Sequence, residues 1–170
     1  MRVVVQRVSS GSVAVNGTTI AAIERGYVIL LGIRSGDTVE DARFLAEKCA
    51  NLRVFEDAGG KMNLSLRDVG GGVIVVSQFT LYADAQKGNR PSFVLAARPA
   101  EAEPLYEEFV AAMRRSLGDE AVKTGAFGAM MEVQIFNDGP VTIVIESQGS
   151  RQKDRGFKDG DRWSLFEPRS

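Results

Sequence analysis

Two uninterrupted apolar runs do most to limit what this chain can fold into: Tyr27-Val28-Ile29-Leu30-Leu31-Gly32-Ile33 and Val73-Ile74-Val75-Val76. Both are far shorter than the roughly 20 apolar residues of a membrane-spanning helix. Both are rich in the branched residues that suit a pleated sheet. Continuous rather than alternating apolarity reads as strands buried inside a sheet. Around the first run, Arg2 to Arg7 and Ser12 to Val15 read as strands, Asn16-Gly17 as a tight hairpin turn, and Thr18 to Ile23 as the return strand. The first third of the chain is therefore expected to be a β meander. Later strands are expected at Arg53 to Glu56, Val73 to Phe79, Val133 to Phe136 and Val141 to Ile145, with the last two joined by Asn137-Asp138-Gly139-Pro140. The triple glycine Gly70-Gly71-Gly72 precedes a strand rather than a helix and lacks the Lys-Ser/Thr of a phosphate loop, so it reads as a turn.

Two helices interrupt the strands. Val39, Ala42, Leu45, Ala46, Cys49 and Leu52 recur at helical spacing, with Asp37 as the expected cap, Glu40 three residues on, and an end near Asn51. Pro99 to Leu117 forms the second, burying Leu105, Phe109, Ala112, Met113 and Leu117; Pro104 is placed in its first turn and Gly118 caps its end. This order predicts an α+β fold: an antiparallel, barrel-like sheet with two packed helices. A length of 170 residues suits one domain. The domain is expected over residues 1–147. Residues 148–170 are polar and glycine-rich, with a small apolar island at Trp163, Leu165 and Phe166, and read as a flexible tail.

The chemistry is narrowed by what is missing. The chain has no histidine, which removes Ser-His-Asp and Cys-His machinery, and its one cysteine, Cys49, falls on an apolar helix face. No imidazole and a single thiol argue against a zinc site. A net charge of −1 argues against broad, nonspecific nucleic-acid binding while leaving room for a local basic patch. Arg2 and Gln6-Arg7 make the first residues too polar for a signal peptide, so the expected location is the cytoplasm.

Three stretches carry candidate chemistry. Ser77-Gln78-Phe79-Thr80 closes a buried strand with two hydroxyls and an amide. It is either a strand edge whose hydroxyls satisfy the backbone, or an acyl site in which backbone N–H groups and the Gln78 amide hold an oxyanion. Thr80 as a nucleophile would need a base that no histidine can supply. Asn137-Asp138-Gly139-Pro140-Val141-Thr142 reads as a hairpin turn, or as a Gly-Pro bond in the cis form that aims both carbonyls at a pocket. Thr124 to Met131 has neither helical nor strand periodicity. It is core filler, or an apolar slot for a planar base with Phe127 or Met130 stacking on it.

Taken together, SQFTLYAD, KGNRPSF and TGAFGAMMEVQIFNDGPVTIVIES closely resemble the D-aminoacyl-tRNA deacylase family, and MRVVVQRVSSGSVAVNG resembles that family's opening. The resemblance runs from Met1 to about Ser147. It implies a homodimer with active sites at the subunit interface, acting on the acceptor end of aminoacyl-tRNA with no cofactor and no metal. It implies hydrolysis of the ester between a D-amino acid and the terminal adenosine, with mischarged glycyl-tRNA as a further substrate. Ser77, Gln78 and Leu81, with Phe79 and Thr80 between them, match its catalytic motif. Gly139 and Pro140 match a cis pair that reaches into the other subunit, binds the α-amino group and rejects L residues, with Arg7 holding its geometry. Phe127, Gly128, Ala129, Met130 and Met131 match the adenosine pocket, and Lys87, Arg90 and Arg98 would meet tRNA phosphates. The 2′-hydroxyl of the substrate, rather than Thr80, would then activate water.

Two other classes compete. One is a nucleic-acid-binding module that kept the fold; the intact Ser77-Gln78 and Gly139-Pro140 pairs favour an enzyme over it. The other is a small-molecule esterase, which lacks both a histidine and a Gly-x-Ser-x-Gly elbow here.

Overall fold

A computed structural model describes residues 1–147. The expected tail, residues 148–170, lies outside the described residues.

The chain begins with β1 (Arg2–Val15), one strand where two were expected. The Asn16-Gly17 turn follows as expected, with φ of 50° and 77°, the left-handed pair that a two-residue hairpin requires. It leads into β2 (Thr18–Ile23) and then β3 (Gly26–Gly32). Helix α1 (Val39–Asn51) is capped by Thr38, not Asp37: Thr38 Oγ1 accepts from the Asp41 N–H at 3.3 Å, and the Asp41 carboxylate accepts from the Thr38 N–H at 2.9 Å. Asp37 is engaged elsewhere, 2.6 Å from the α-ammonium of Met1. The short hairpin β4 (Phe55–Glu56) and β5 (Met62–Leu64) precedes β6 (Gly72–Ser77). Helix α2 (Pro99–Leu117) has the expected bounds, with Gly118 at φ 92° ending it. Pro104 stands inside this helix, beyond the first turn, where its missing N–H withholds the usual helical donor from the Ala100 carbonyl. Last come β7 (Val122–Thr124) and β8 (Glu132–Glu146).

The main sheet runs β2-β1-β3-β6-β7, with β8 on the free side of β1, and it curls into a nearly closed barrel. The barrel with two packed helices stands as expected, but the sheet is mixed. Pairings of β1 with β2, β3 and β8 are antiparallel, whereas β3–β6 and β6–β7 are parallel. The reason is the connections: α1 lies between β3 and β6, and α2 between β6 and β7, and helical crossovers return the chain in the same direction.

Both apolar runs are covered on each face. Tyr27, Ile29, Leu31, Val73 and Val75 join the helix residues Leu45, Cys49, Phe109 and Met113 in the larger core. Ile74 and Val76 point the other way, into a smaller cluster with Val13, Ala21, Leu30 and Met131. Burial on both faces is why these strands show no alternation. The start of the parallel pair demands glycine: a Cβ on Gly26 would lie 1.8 Å from the Gly72 carbonyl. Among the described residues no helix is long and apolar enough to cross a membrane.

The last two expected strands are one. Both arms of β8 pair with β1, but the register slips between Val8↔Asn137 and Gln6↔Thr142. Residues 138–141 thus bulge out opposite Arg7 instead of forming a hairpin turn.

Candidate active site

The candidate site grows from the end of β6. The parallel register with β3 stops at Leu31↔Ser77, and the Gln78 N–H makes one further bond, to the Leu31 carbonyl at 2.8 Å. The chain then leaves the sheet. Phe79 and Thr80, expected at the strand end, belong to a turn of 3-10 helix spanning Phe79–Tyr82. The first N–H groups of such a turn have no acceptor within it, and among the described residues those of Phe79 and Thr80 donate to no backbone carbonyl outside it. The Gln78 side-chain amide donates to Thr80 Oγ1, and among the described residues no carboxylate or amine is bonded to that hydroxyl. The turn is braced by Arg2. Its Nη1 donates to the Leu81 carbonyl at 2.7 Å, its guanidinium lies 5.0 Å from the centre of the Tyr82 ring, and it pairs with Glu146.

Beside the turn lies an open cavity of about 490 Å³. Ser77, Gln78 and Phe79 line it, together with Phe127 and Gly128, so the structure brings two of the three candidate stretches to one place. Leu31 and Ile33 form part of its wall, and Pro99 and Ala102 bring in the start of α2. Phe93 completes the rim, edge-on to Phe79 with ring centres 5.1 Å apart. Among the described residues, Arg98 is the one charged residue in the lining. Phe127 is backed by Tyr106, 5.6 Å away between ring centres. The Tyr106 hydroxyl donates to the Val75 carbonyl at 2.9 Å, and the Gly125 N–H donates to the same oxygen at 2.9 Å. The loop that carries Phe127 is thereby hung on β6. Gly128, at φ 73°, then turns the chain.

The remaining members of that stretch point elsewhere. Ala129 closes a turn onto the Ala126 carbonyl, Met130 is 91% exposed, and Met131 packs into the smaller core cluster. Lys87 and Arg90 sit on an exposed loop pinched shut by the backbone pair Asp84–Ser92, with bonds of 2.7 and 2.8 Å. That loop leads directly to Phe93.

Gly139 and Pro140 do not reach this cavity within the chain. They are exposed on the β8 bulge, joined by a cis peptide bond. The bulge faces Arg7, whose partner on β3 is Tyr27, whereas the cavity begins at Leu31. Four residues along a strand is about 13 Å. Arg7 is 6% exposed; its Nη1 donates to the Val54 carbonyl at 2.6 Å, and its Nε lies 3.2 Å from the Asp138 carbonyl and 3.1 Å from the Asp138 carboxylate. Gly139 has φ 120°, and a Cβ there would stand 2.9 Å from Val141 Cγ2 and 3.1 Å from Arg7 Nη2.

Sequence reading missed Leu31, Ile33, Phe93, Ala102 and Tyr106. Four of these are ordinary core or helix residues with no local mark. Phe93 carried a usable signal: an aromatic closing a polar, basic loop that starts from the motif.

The profile of the family described as D-Tyr-tRNA(Tyr) deacylase matches residues 4–146. A protein of Halalkalibacterium halodurans named D-aminoacyl-tRNA deacylase is 57% identical over 148 residues, which is 87% of this chain and all of that one. A protein of the same name from Thermus aquaticus is 57% identical over 147 residues, 86% of this chain and 95% of its own length. Among solved structures, the c-Myc DNA unwinding element binding protein superposes with a TM-score of 0.83 at 47% identity, covering 86% of this chain and 99% of that one.

Proposed function

The chain belongs to the D-Tyr-tRNA(Tyr) deacylase family, and from that premise we propose that it hydrolyses the ester of D-aminoacyl-tRNA. Water adds to the ester carbonyl, the bond to the ribose oxygen breaks, and that oxygen takes a proton, releasing free D-amino acid and tRNA. The observation that carries this reading is the apolar, aromatic-walled cavity opening beside a 3-10 turn whose threonine, among the described residues, is bonded to no base.

In this reading the cavity takes the terminal adenosine, with Phe127 stacking on the base and Phe79 and Phe93 at the rim. The ester carbonyl lies against the N–H groups of Phe79 and Thr80, which stabilise the developing oxyanion. Gln78 holds the Thr80 hydroxyl and shapes the turn. The adjacent 2′-hydroxyl of the ribose orients the attacking water, since among the described residues no group bonded to Thr80 can deprotonate it. Lys87, Arg90 and Arg98 meet backbone phosphates. Gly139 and Pro140 come from a second copy of the chain, bind the α-amino group through their carbonyls, and leave no room for an L side chain. Glycine carries no side chain to exclude, so mischarged glycyl-tRNA(Ala) is also cleared. The activity belongs to translation quality control in the cytoplasm.

The exposed position of Gly139-Pro140 supports the second copy. So does β8, a long strand that among the described residues is paired on one edge, with Phe136 and Val144 each 59% exposed. An uncovered edge of that length is an unusual thing for a protein to leave open. A DNA-binding role draws support from the likeness to the c-Myc element binding protein; the net charge of −1 speaks against it.

Single-turnover hydrolysis of matched D- and L-tyrosyl-tRNA, with and without a chelator, tests the proposal. Fast, chelator-insensitive loss of the D-ester alone is expected. Loss of neither ester in the presence of folded protein would overturn it.

A further inference from the structure

The β8 bulge creates a local problem in hydrogen bonding. Between Val8↔Asn137 and Gln6↔Thr142, β1 supplies Arg7 and β8 supplies the four residues 138–141. With the ladder interrupted there, the carbonyls of Arg7 and Val141 need another donor. Asn137 provides it. Its Nδ2 donates to the Arg7 carbonyl at 2.9 Å and to the Val141 carbonyl at 3.0 Å, while its Oδ1 accepts from Thr142 Oγ1 at 3.3 Å. Only one orientation of the amide satisfies this arrangement, because two carbonyls cannot accept from Oδ1.

These bonds close the neck of the bulge. One amide, on the last paired residue before the bulge, reaches the residue just past Pro140 and the neighbouring strand. Arg7 holds the opposite side through Asp138. With the neck fixed on both sides, the tip bearing Gly139-Pro140 can neither widen nor slide along β1. We infer that Asn137 is a positioning residue for stereoselection: its carboxamide clamps the bulge so that the Gly139-Pro140 carbonyls meet the substrate in one geometry, and Thr142 sets the orientation of that carboxamide. The inference rests on the proposed reading of Gly139-Pro140 as the chiral selector.

The discriminating quantity is the ratio of kcat/KM for D- and L-tyrosyl-tRNA. A variant that merely unfolds in part loses active protein for both esters equally and leaves the ratio unchanged. Asn137→Asp keeps the shape but presents an acceptor to two carbonyls. Asn137→Ser removes the reach without adding charge, and serves if the aspartate does not fold. Thr142→Val removes the group that orients the amide. The expected result is a ratio at least about tenfold lower in Asn137→Asp or Asn137→Ser, corresponding to about 1.4 kcal/mol, with a smaller fall in Thr142→Val. The KM for tRNA should stay close to wild type, because the adenosine cavity is untouched. A discriminating wild type whose ratio survives in both Asn137 variants overturns the inference alone. A wild type that hydrolyses both esters alike overturns the reading of Gly139-Pro140 and the inference with it.

Discussion

Arg7 and Asp138 meet twice: one nitrogen, Nε, lies 3.1 Å from the carboxylate and 3.2 Å from the main-chain carbonyl of the same residue. The guanidinium is buried and its Nη1 is committed to the Val54 carbonyl, so it joins the link between α1 and β4 to the β8 bulge. Arg7→Met keeps much of the volume and strands that carbonyl, which costs about 1–3 kcal/mol. Chemical denaturation should show a lower midpoint with an unchanged slope. Asp138→Asn, at a half-exposed side chain, should have a much smaller effect.

Gly139→Ala should lower D-ester hydrolysis by at least about tenfold, since a 1 Å displacement of a positioning group costs far more than that in favourable cases. The strain comes from φ 120° and from the crowding of a Cβ against Val141 and Arg7. Single-turnover rates measure it, and full D-selective activity in this variant would sink the role given to the bulge.

Thr80→Ala should retain most of the hydrolytic rate, within about threefold to tenfold, because a hydroxyl without a base is a weak nucleophile. The Gln78 amide loses its acceptor, which accounts for the expected modest fall. Quenching the reaction and looking for an ester on Thr80 is the complementary test; trapping one there refutes water attack.

Phe127→Ala should act on binding more than on chemistry. Losing one stacked base is worth about 1–3 kcal/mol, so KM for tRNA should rise by about 5- to 150-fold while kcat changes less. A fall in kcat with KM unchanged would remove the base-stacking role. The ring's neighbour Tyr106 is anchored to Val75, so the cavity floor should persist in the variant.

Among the buried groups whose protons the fold holds, Cys49 and Tyr106 bear on alkaline stability. Burial pushes the Cys49 thiol from 9.0 up to about 12 and the Tyr106 hydroxyl from 10.0 up to about 12. Both hold their protons more tightly in the folded chain. Their contribution is therefore complete below the unfolded values and is lost as pH rises through about 12. The denaturation midpoint should begin to fall above about pH 9 on their account. Cys49 should stay unreactive toward thiol reagents at neutral pH until the protein unfolds.

Elements with strong local signals were legible in the sequence. The Asn16-Gly17 turn, the two helices and the buried runs all stand where their residues placed them. The bulge was not, because Asn-Asp-Gly-Pro has the same chemistry in a hairpin as in an excursion from one strand. What separates the two is that both arms pair with β1, a contact made across more than a hundred residues. The strand end at Ser77 was lost for a similar reason: no breaker separates Ser77 from Phe79, while the partner strand stops pairing at Leu31. Of the candidate site, Ser77, Gln78, Phe79, Phe127 and Gly128 do share one cavity. Its other wall comes from Leu31, Ile33 and the start of α2, which look like any other core residues until the crossover places them.

The oxygen of Val75 accepts from both Tyr106 and Gly125, and that shared acceptor gives the molecule a fixed side and an adjustable one. Whatever the cavity grips is referenced to the middle of an enclosed strand. The basic segment leading to Phe93 hangs from the outer rim and touches that reference only indirectly. Exchanges of length or charge in residues 83–92 should therefore retune which tRNA bodies are accepted while leaving the reacting bond where it is. The described fold has room for related chains to diverge in their preferences by editing one loop.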